Sequence, residues 1–373
     1  MRSLIAALFF ACAARVLGQT QVVDLFYDAH DNATVGTNVD ATVLTAGSRK
    51  NNASDTWTVS FTNAAFMQVS NVLTSAPYYK FSVNNVTYTG STTRCLRIDH
   101  TYDTSDAIMT LAAAKTAVSV GFFLSTTLIN VTASTIQVDY NVLKTNTGKN
   151  VYSNFINSTM VLREETTISA SSTFTSAAWF VPNTTYWVTM KYDAGAGPTA
   201  YLSVYNASTW QLVGVAVSQG SDAAANVLSW TLGQDRAGTL AGFYSYISNM
   251  VMDYTSATYP LGVPQTPGQP TSLSASNATA TTVDLSWTNV DTKFQTIQIL
   301  AAVHGGTLAL VGSTNSDSAS TYTVSGLRPG VQYDFAVRGH NIVYDGANSS
   351  TVSATTTAPT TQTVANQLLK SIP

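Results

Sequence analysis

Apolar and polar residues alternate with a period of two in short runs along most of the chain, and a 3.6-residue period is almost absent. Runs rich in Val, Thr, Tyr, Phe and Trp, broken by clusters of Gly, Asn, Asp and Ser, predict strands at 56–61, 79–88, 116–124, 135–143, 185–192, 200–205, 210–217 and 243–254. One stretch differs: 107–115 carries enough alanine to predict one or two helical turns. In 243–254 the alternation puts Phe243, Ile247 and Val251 on one face and Tyr244, Tyr246, Met250 and Met252 on the other. Both faces are apolar, which predicts a sheet whose outer surface is covered or used.

Turn residues divide the chain. Residues 262–270 hold three prolines and two glycines, which neither a helix nor a central strand can carry, so they read as a linker. A second break lies at 355–363, and 359–373 reads as a flexible tail. The start, Met1-Arg2 followed by an apolar run to Ala14 and then Val16-Leu17-Gly18, has the pattern of a secretory signal covering 1–18. The expected organisation is therefore a main domain at 19–261, the linker, and a second domain at 271–358. Short strands without helices over the main domain predict one large two-sheet sandwich.

Composition narrows the classes. With 373 residues there is room for two or three domains, and 45% apolar residues exclude general disorder. Only 10% are charged, against about 25% in an average soluble protein. A formal charge of -3 provides no basic field for a polyanion, so nucleic acid is not an expected partner. No mature segment approaches the ~20 apolar residues of a membrane span. Of two cysteines, Cys12 falls in the signal and Cys95 is left alone, read as a small buried hydrophobe rather than a catalytic thiol.

The stretch Tyr322-Thr-Val-Ser-Gly-Leu-Arg-Pro-Gly-Val-Gln-Tyr333 ends one strand, turns at Pro329 and Gly330, and re-enters as the alternating Asp334-Phe-Ala-Val-Arg-Gly-His-Asn341. Leu327 is placed to plug the core, and Tyr333 to bury its ring and turn its hydroxyl back to the upstream backbone. Val283, Leu285 and Trp287 alternate, with Trp287 inward. This segment resembles a fibronectin type III domain. The resemblance implies a seven-stranded sandwich acting as a spacer or binding platform in an extracellular or cell-surface protein.

A second resemblance is carried by Trp187 to Tyr192, the turn at 194–198, Ala200 to Tyr205, the tip Asn206-Ala-Ser208, Trp210 to Val213, Leu232-Gly-Gln-Asp235 and the closing strand Tyr246 to Tyr254. It is similar to laminin G-like, concanavalin A-like jelly rolls. The expected fold class is thus all-β, a large jelly-roll sandwich followed by a type III sandwich. The jelly-roll resemblance implies a glycan or extracellular protein ligand and raises calcium as a cofactor. Asp99, Asp103, Asp106 and Asp235 are the candidate oxygen ligands, although their spacing is not that of an EF-hand and aspartates also serve ordinary turns. Tyr78, Tyr79, Tyr244 and Tyr246 are candidate stacking platforms, with plain core packing as the alternative.

No catalytic residue is expected. A glycosidase needs two carboxyls on one side of a groove, and the only glutamates, Glu164 and Glu165, are neighbours that face opposite sides of a strand. Asn32, Asn52, Asn85, Asn130, Asn157, Asn183, Asn206, Asn277 and Asn348 head Asn-x-Ser/Thr sequons, glycan sites if the source is eukaryotic. The expectation is a secreted, non-catalytic modular binding protein. The alternatives are a secreted polysaccharide hydrolase with a type III accessory, or a purely structural surface component.

Overall fold

The computed structural model describes residues 20–28, 34–61, 66–71, 80–88, 94–100, 105–127, 137–147, 150–156, 159–165, 170–173, 181–195, 199–219, 225–234, 244–291, 293–314, 318–341 and 343–358. They form two compact units, one built mainly from Thr20–Thr266 and the other mainly from Pro267–His340 and the residues from Gly346 onward.

The first unit is built on two large sheets. A nine-stranded sheet runs Leu212–Gln219, Thr199–Asn206, Tyr186–Asp193, Ala117–Thr126, Tyr244–Asp253, Leu25–Tyr27 and Ser48–Lys50, with Cys95–Asp99 also pairing Tyr244–Asp253 and carrying Met67–Ser70. A seven-stranded sheet runs Ala170–Thr173, Thr159–Glu165, Asn150–Ile156, Gln137–Thr145, Val227–Gln234, Ser105–Lys115 and Thr56–Ser60. The sheets face each other across one core, where Met109, Leu143 and Trp230 of the second sheet join Val120, Val188 and Met250 of the first.

The nine-stranded sheet is apolar on its outer face as well, as the alternation in 243–254 predicts. There Phe123, Trp187, Tyr246 and Val251 pack with Phe81, Val83, Leu261 and Val263 in a second core. Phe81 and Val83 come from a small sheet in which Thr20–Val22 pairs in parallel with Lys80–Val83, itself paired with Val86–Tyr88. Asn84 and Asn85, with φ of 52° and 63°, make the left-handed two-residue turn of that hairpin.

Three local expectations change. Residues 107–115 are strand, not helix: Ser105–Lys115 pairs with Thr56–Ser60 on one side and Val227–Gln234 on the other, and Ala107, Met109 and Leu111 enter the core. The sheet on both sides overrides alanine's weak helical preference. Conversely, Ala41–Gly47 is a short helix, capped by Asp40, whose carboxylate accepts the Val43 N–H at 2.8 Å. Finally, the faces of 243–254 exchange part-way. Asn249 has φ of 50°, and the pairing jumps from Phe123 opposite Ser248 to Gly121 opposite Val251. This bulge puts Ile247, Met250 and Met252 together in the main core and Tyr246 and Val251 in the second. Phe243 lies outside the described residues.

The second unit is a sandwich of a three-stranded sheet, Thr271–Ser276, Thr282–Thr288 and Thr321–Ser325, and a four-stranded one, Ala309–Ser313, Thr296–Val303, Gln332–His340 and Val352–Thr355. Val283, Leu285, Trp287, Ile299, Tyr333 and Phe335 form its core, with Leu327 packed against it.

Candidate functional site

Where the outer face of the nine-stranded sheet passes beyond the second core, it becomes polar and aromatic. On Cys95–Asp99 the residues alternate: Leu96 and Ile98 point into the main core, so Arg97 and Asp99 point outward. Arg97 stands opposite Gln68 on one neighbour and Tyr246 on the other, and Asp99 stands opposite Tyr244. The Arg97 guanidinium lies over the Tyr244 ring, 5.1 Å from its centre, and donates from Nη2 to Gln68 Oε1. Gln68 Nε2 in turn donates to Asn38 Oδ1 at 2.7 Å, and Asn38 bridges Gln68 through the backbone as well. Asn38, Gln68, Arg97 and Tyr244 thus form one connected strip. Tyr246 borders it from within the second core, only 8% exposed. Burial pushes its hydroxyl pKa up, and the Arg97 charge opposes that shift.

Two of the four aromatic candidates, Tyr244 and Tyr246, therefore meet at one place, while Tyr78 and Tyr79 lie outside the described residues. Of the calcium candidates, Asp99 and Asp106 fall on different sheets, Asp106 lying 3.9 Å from Lys144 Nζ. Asp103 and Asp235 lie outside the described residues, among which no three His, Cys, Asp or Glu side chains gather as a metal site. Glu164 and Glu165 are consecutive on Thr159–Glu165. Asn85, Asn183, Asn277 and Asn348 are exposed and Asn52 and Asn206 half-buried, none of them in the interior of a strand. Asn32, Asn130 and Asn157 are not among the described residues.

Arg97, Gln68 and Asn38 escape sequence reasoning because each belongs to a different segment. A charged residue between Leu96 and Ile98, in a chain so poor in charge, is the signal that could have found the first. On the opposite face of the sheet, His100 Nε2 lies 2.8 Å from Ser245 Oγ, another contact that the sequence does not announce. Both residues are fully buried. Enclosed in this way, the pair offers a substrate no approach to the serine oxygen.

In the second unit the Arg328 N–H donates to the Tyr333 hydroxyl at 3.0 Å, beside the turn of Pro329 and Gly330 with Gly330 at φ 71°. The ring is buried in the core, so the corner predicted from Tyr322 to Tyr333 is present. Residues 268–356 match the family described as Fibronectin type III domain. The second unit is a fibronectin type III domain. Solved structures with this fold include the FN5 domain of Drosophila Lar, 23% identical, covering 25% of this chain and 99% of that one with a TM-score of 0.22. They also include the fn3 domain of human contactin 1, 16% identical, covering 24% and 78% with a TM-score of 0.23. No curated protein matches the sequence. The type III domain makes a modular binding or spacer protein the coarse functional class. Among the described residues no helix is long and apolar enough to cross a membrane.

Proposed function

We propose that the chain is a secreted, non-catalytic binding protein whose first unit recognises glycan through the strip of Asn38, Gln68, Arg97 and Tyr244, with the type III domain as spacer. One observation carries this reading: a tyrosine ring, two carboxamides and a guanidinium are joined side by side on the outer face of the nine-stranded sheet, Asn38 exposed and the other three half-buried. Sugars are bound by such sets, because carboxamides and guanidinium groups meet hydroxyl oxygens while a ring covers the apolar face of a pyranose.

The test is a glycan array probed with the full chain, with and without calcium, alongside Tyr244→Ala. Specific signals lost in the variant are expected. Absence of any glycan signal, or signals indifferent to Tyr244→Ala, would refute the reading. Release of new reducing ends from the bound glycans would favour the hydrolase alternative.

A further inference from the structure

The strand Leu212–Gln219 ends the nine-stranded sheet, and among the described strands only Thr199–Asn206 pairs with it. Such an end is a template for a further strand, so soluble proteins blunt it with charge, proline or very short length. The far end of the same sheet is blunted in this way. Ser48–Lys50 has three residues, two of them cationic, and the Lys50 carbonyl accepts the Asn84 side-chain amide at 2.9 Å. Thr56–Ser60, which ends the seven-stranded sheet, exposes Thr56, Thr58 and Ser60. Leu212–Gln219 has eight residues with no charge and no proline. It exposes Leu212, Val215 and Val217 by 53%, 55% and 49%, while no other described strand of the first unit exposes more than one large apolar side chain. Val217 stands opposite Tyr201 and Leu212 opposite Tyr205. Opposite residues share a face, so the apolar patch continues onto two half-buried rings. From Gly214 to Gln219 the register is regular.

We infer that this edge pairs antiparallel with the same edge of a second copy of the chain, joining two nine-stranded sheets into one. The strand itself points to that occupant. A two-fold axis at Ala216 sets Val215 of each copy opposite Val217 of the other, on the exposed face, and brings no charge against a like charge. Two pairs of β-branched side chains then cover one another, whereas a charged partner strand would lose water without gaining a counter-charge. Because the same surface is used by both copies, the contact closes at two. The pair carries two of any ligand site on the first unit, which strengthens attachment to a repetitive surface through effective concentration.

The experiment is sedimentation velocity of the full chain over about 1 to 100 μM, the range in which a contact of modest area dissociates. Amide exchange of the peptide 211–219 is measured at both ends of that range. The expected result is a monomer–dimer equilibrium, with slower exchange in 211–219 at the higher concentration. Val215→Lys and Val217→Lys should each weaken the dimer at least about tenfold by placing a charge within an apolar pair. Val215→Thr, which keeps the β-branch, should weaken it less, and Thr58→Lys, on the end of the other sheet, should leave it unchanged. The thermal midpoint of each variant is the folding control. A chain that stays monomeric throughout, with 211–219 exchanging alike at both concentrations, would overturn the inference. So would a dimer that both lysine variants leave intact, or assemblies that grow beyond two copies.

Discussion

Trp187 sets tight tolerances on the residues around it. Its Nε1 donates to the Leu261 carbonyl at 2.7 Å, and its ring stacks near Phe81 and meets the edge of Phe123 at 4.8 Å between centres. Two glycines make room for it. A Cβ at Gly121 would lie 2.7 Å from Trp187 Cζ2, and one at Gly262, which also has φ of 71°, only 2.6 Å. Gly121→Ala is expected to cost roughly 1–3 kcal/mol through overpacking, visible as a lower thermal midpoint with altered tryptophan emission. An unchanged midpoint would mean the sheet relaxes freely there. Nothing in the run Val120-Gly121-Phe122 announces this role, because the ring that demands the glycine comes from a strand much later in the chain.

Strands and turns were legible to the extent that their causes were contiguous. The corner of the type III domain lies within twelve consecutive residues, so Pro329, Gly330 and Tyr333 could be assigned roles from order alone. The helix Ala41–Gly47 depends on one capping aspartate and the burial of Leu44, and the bulge at Asn249 depends on the facing strand, so neither leaves a local periodic trace. Within the type III domain the start of Gln332–His340 also carries a pH-sensitive group. Asp334 accepts from Ser353 Oγ at 2.6 Å and Gly305 N at 2.9 Å, with His304 Nδ1 at 2.8 Å. The hydrogen bond with His304 leads these in holding its pKa down at about 2. A carboxylate near 3.9 when unfolded and lower when folded stabilises above pH ~4 and loses that contribution as pH falls toward 2. Asp334→Asn should therefore flatten the fall of the type III melting temperature between pH 4 and 2. An identical slope in wild type and variant would remove Asp334 from the acid response.

At the scale of the whole molecule, the all-β class and the type III domain could be read from pattern and motif, but the strip could not. It is assembled from the segment around Asn38, an outer strand and two inner ones, so only the sheet order brings its members together. The second core has a consequence for how the first unit opens. Ala117–Thr126 and Tyr244–Asp253 are paired with strands on both sides and buried on both faces, whereas Thr56–Ser60 is an edge with Thr56, Thr58 and Ser60 exposed. Backbone amides of the two inner strands should trade their hydrogens for deuterium only when the whole unit unfolds, while those of Thr56–Ser60 do so through local opening, orders of magnitude sooner. Native-state hydrogen exchange read by mass spectrometry would reveal that order, and equal rates in the two regions would contradict it. The strip borders Tyr244–Asp253, and so sits beside the last part of the unit to let go.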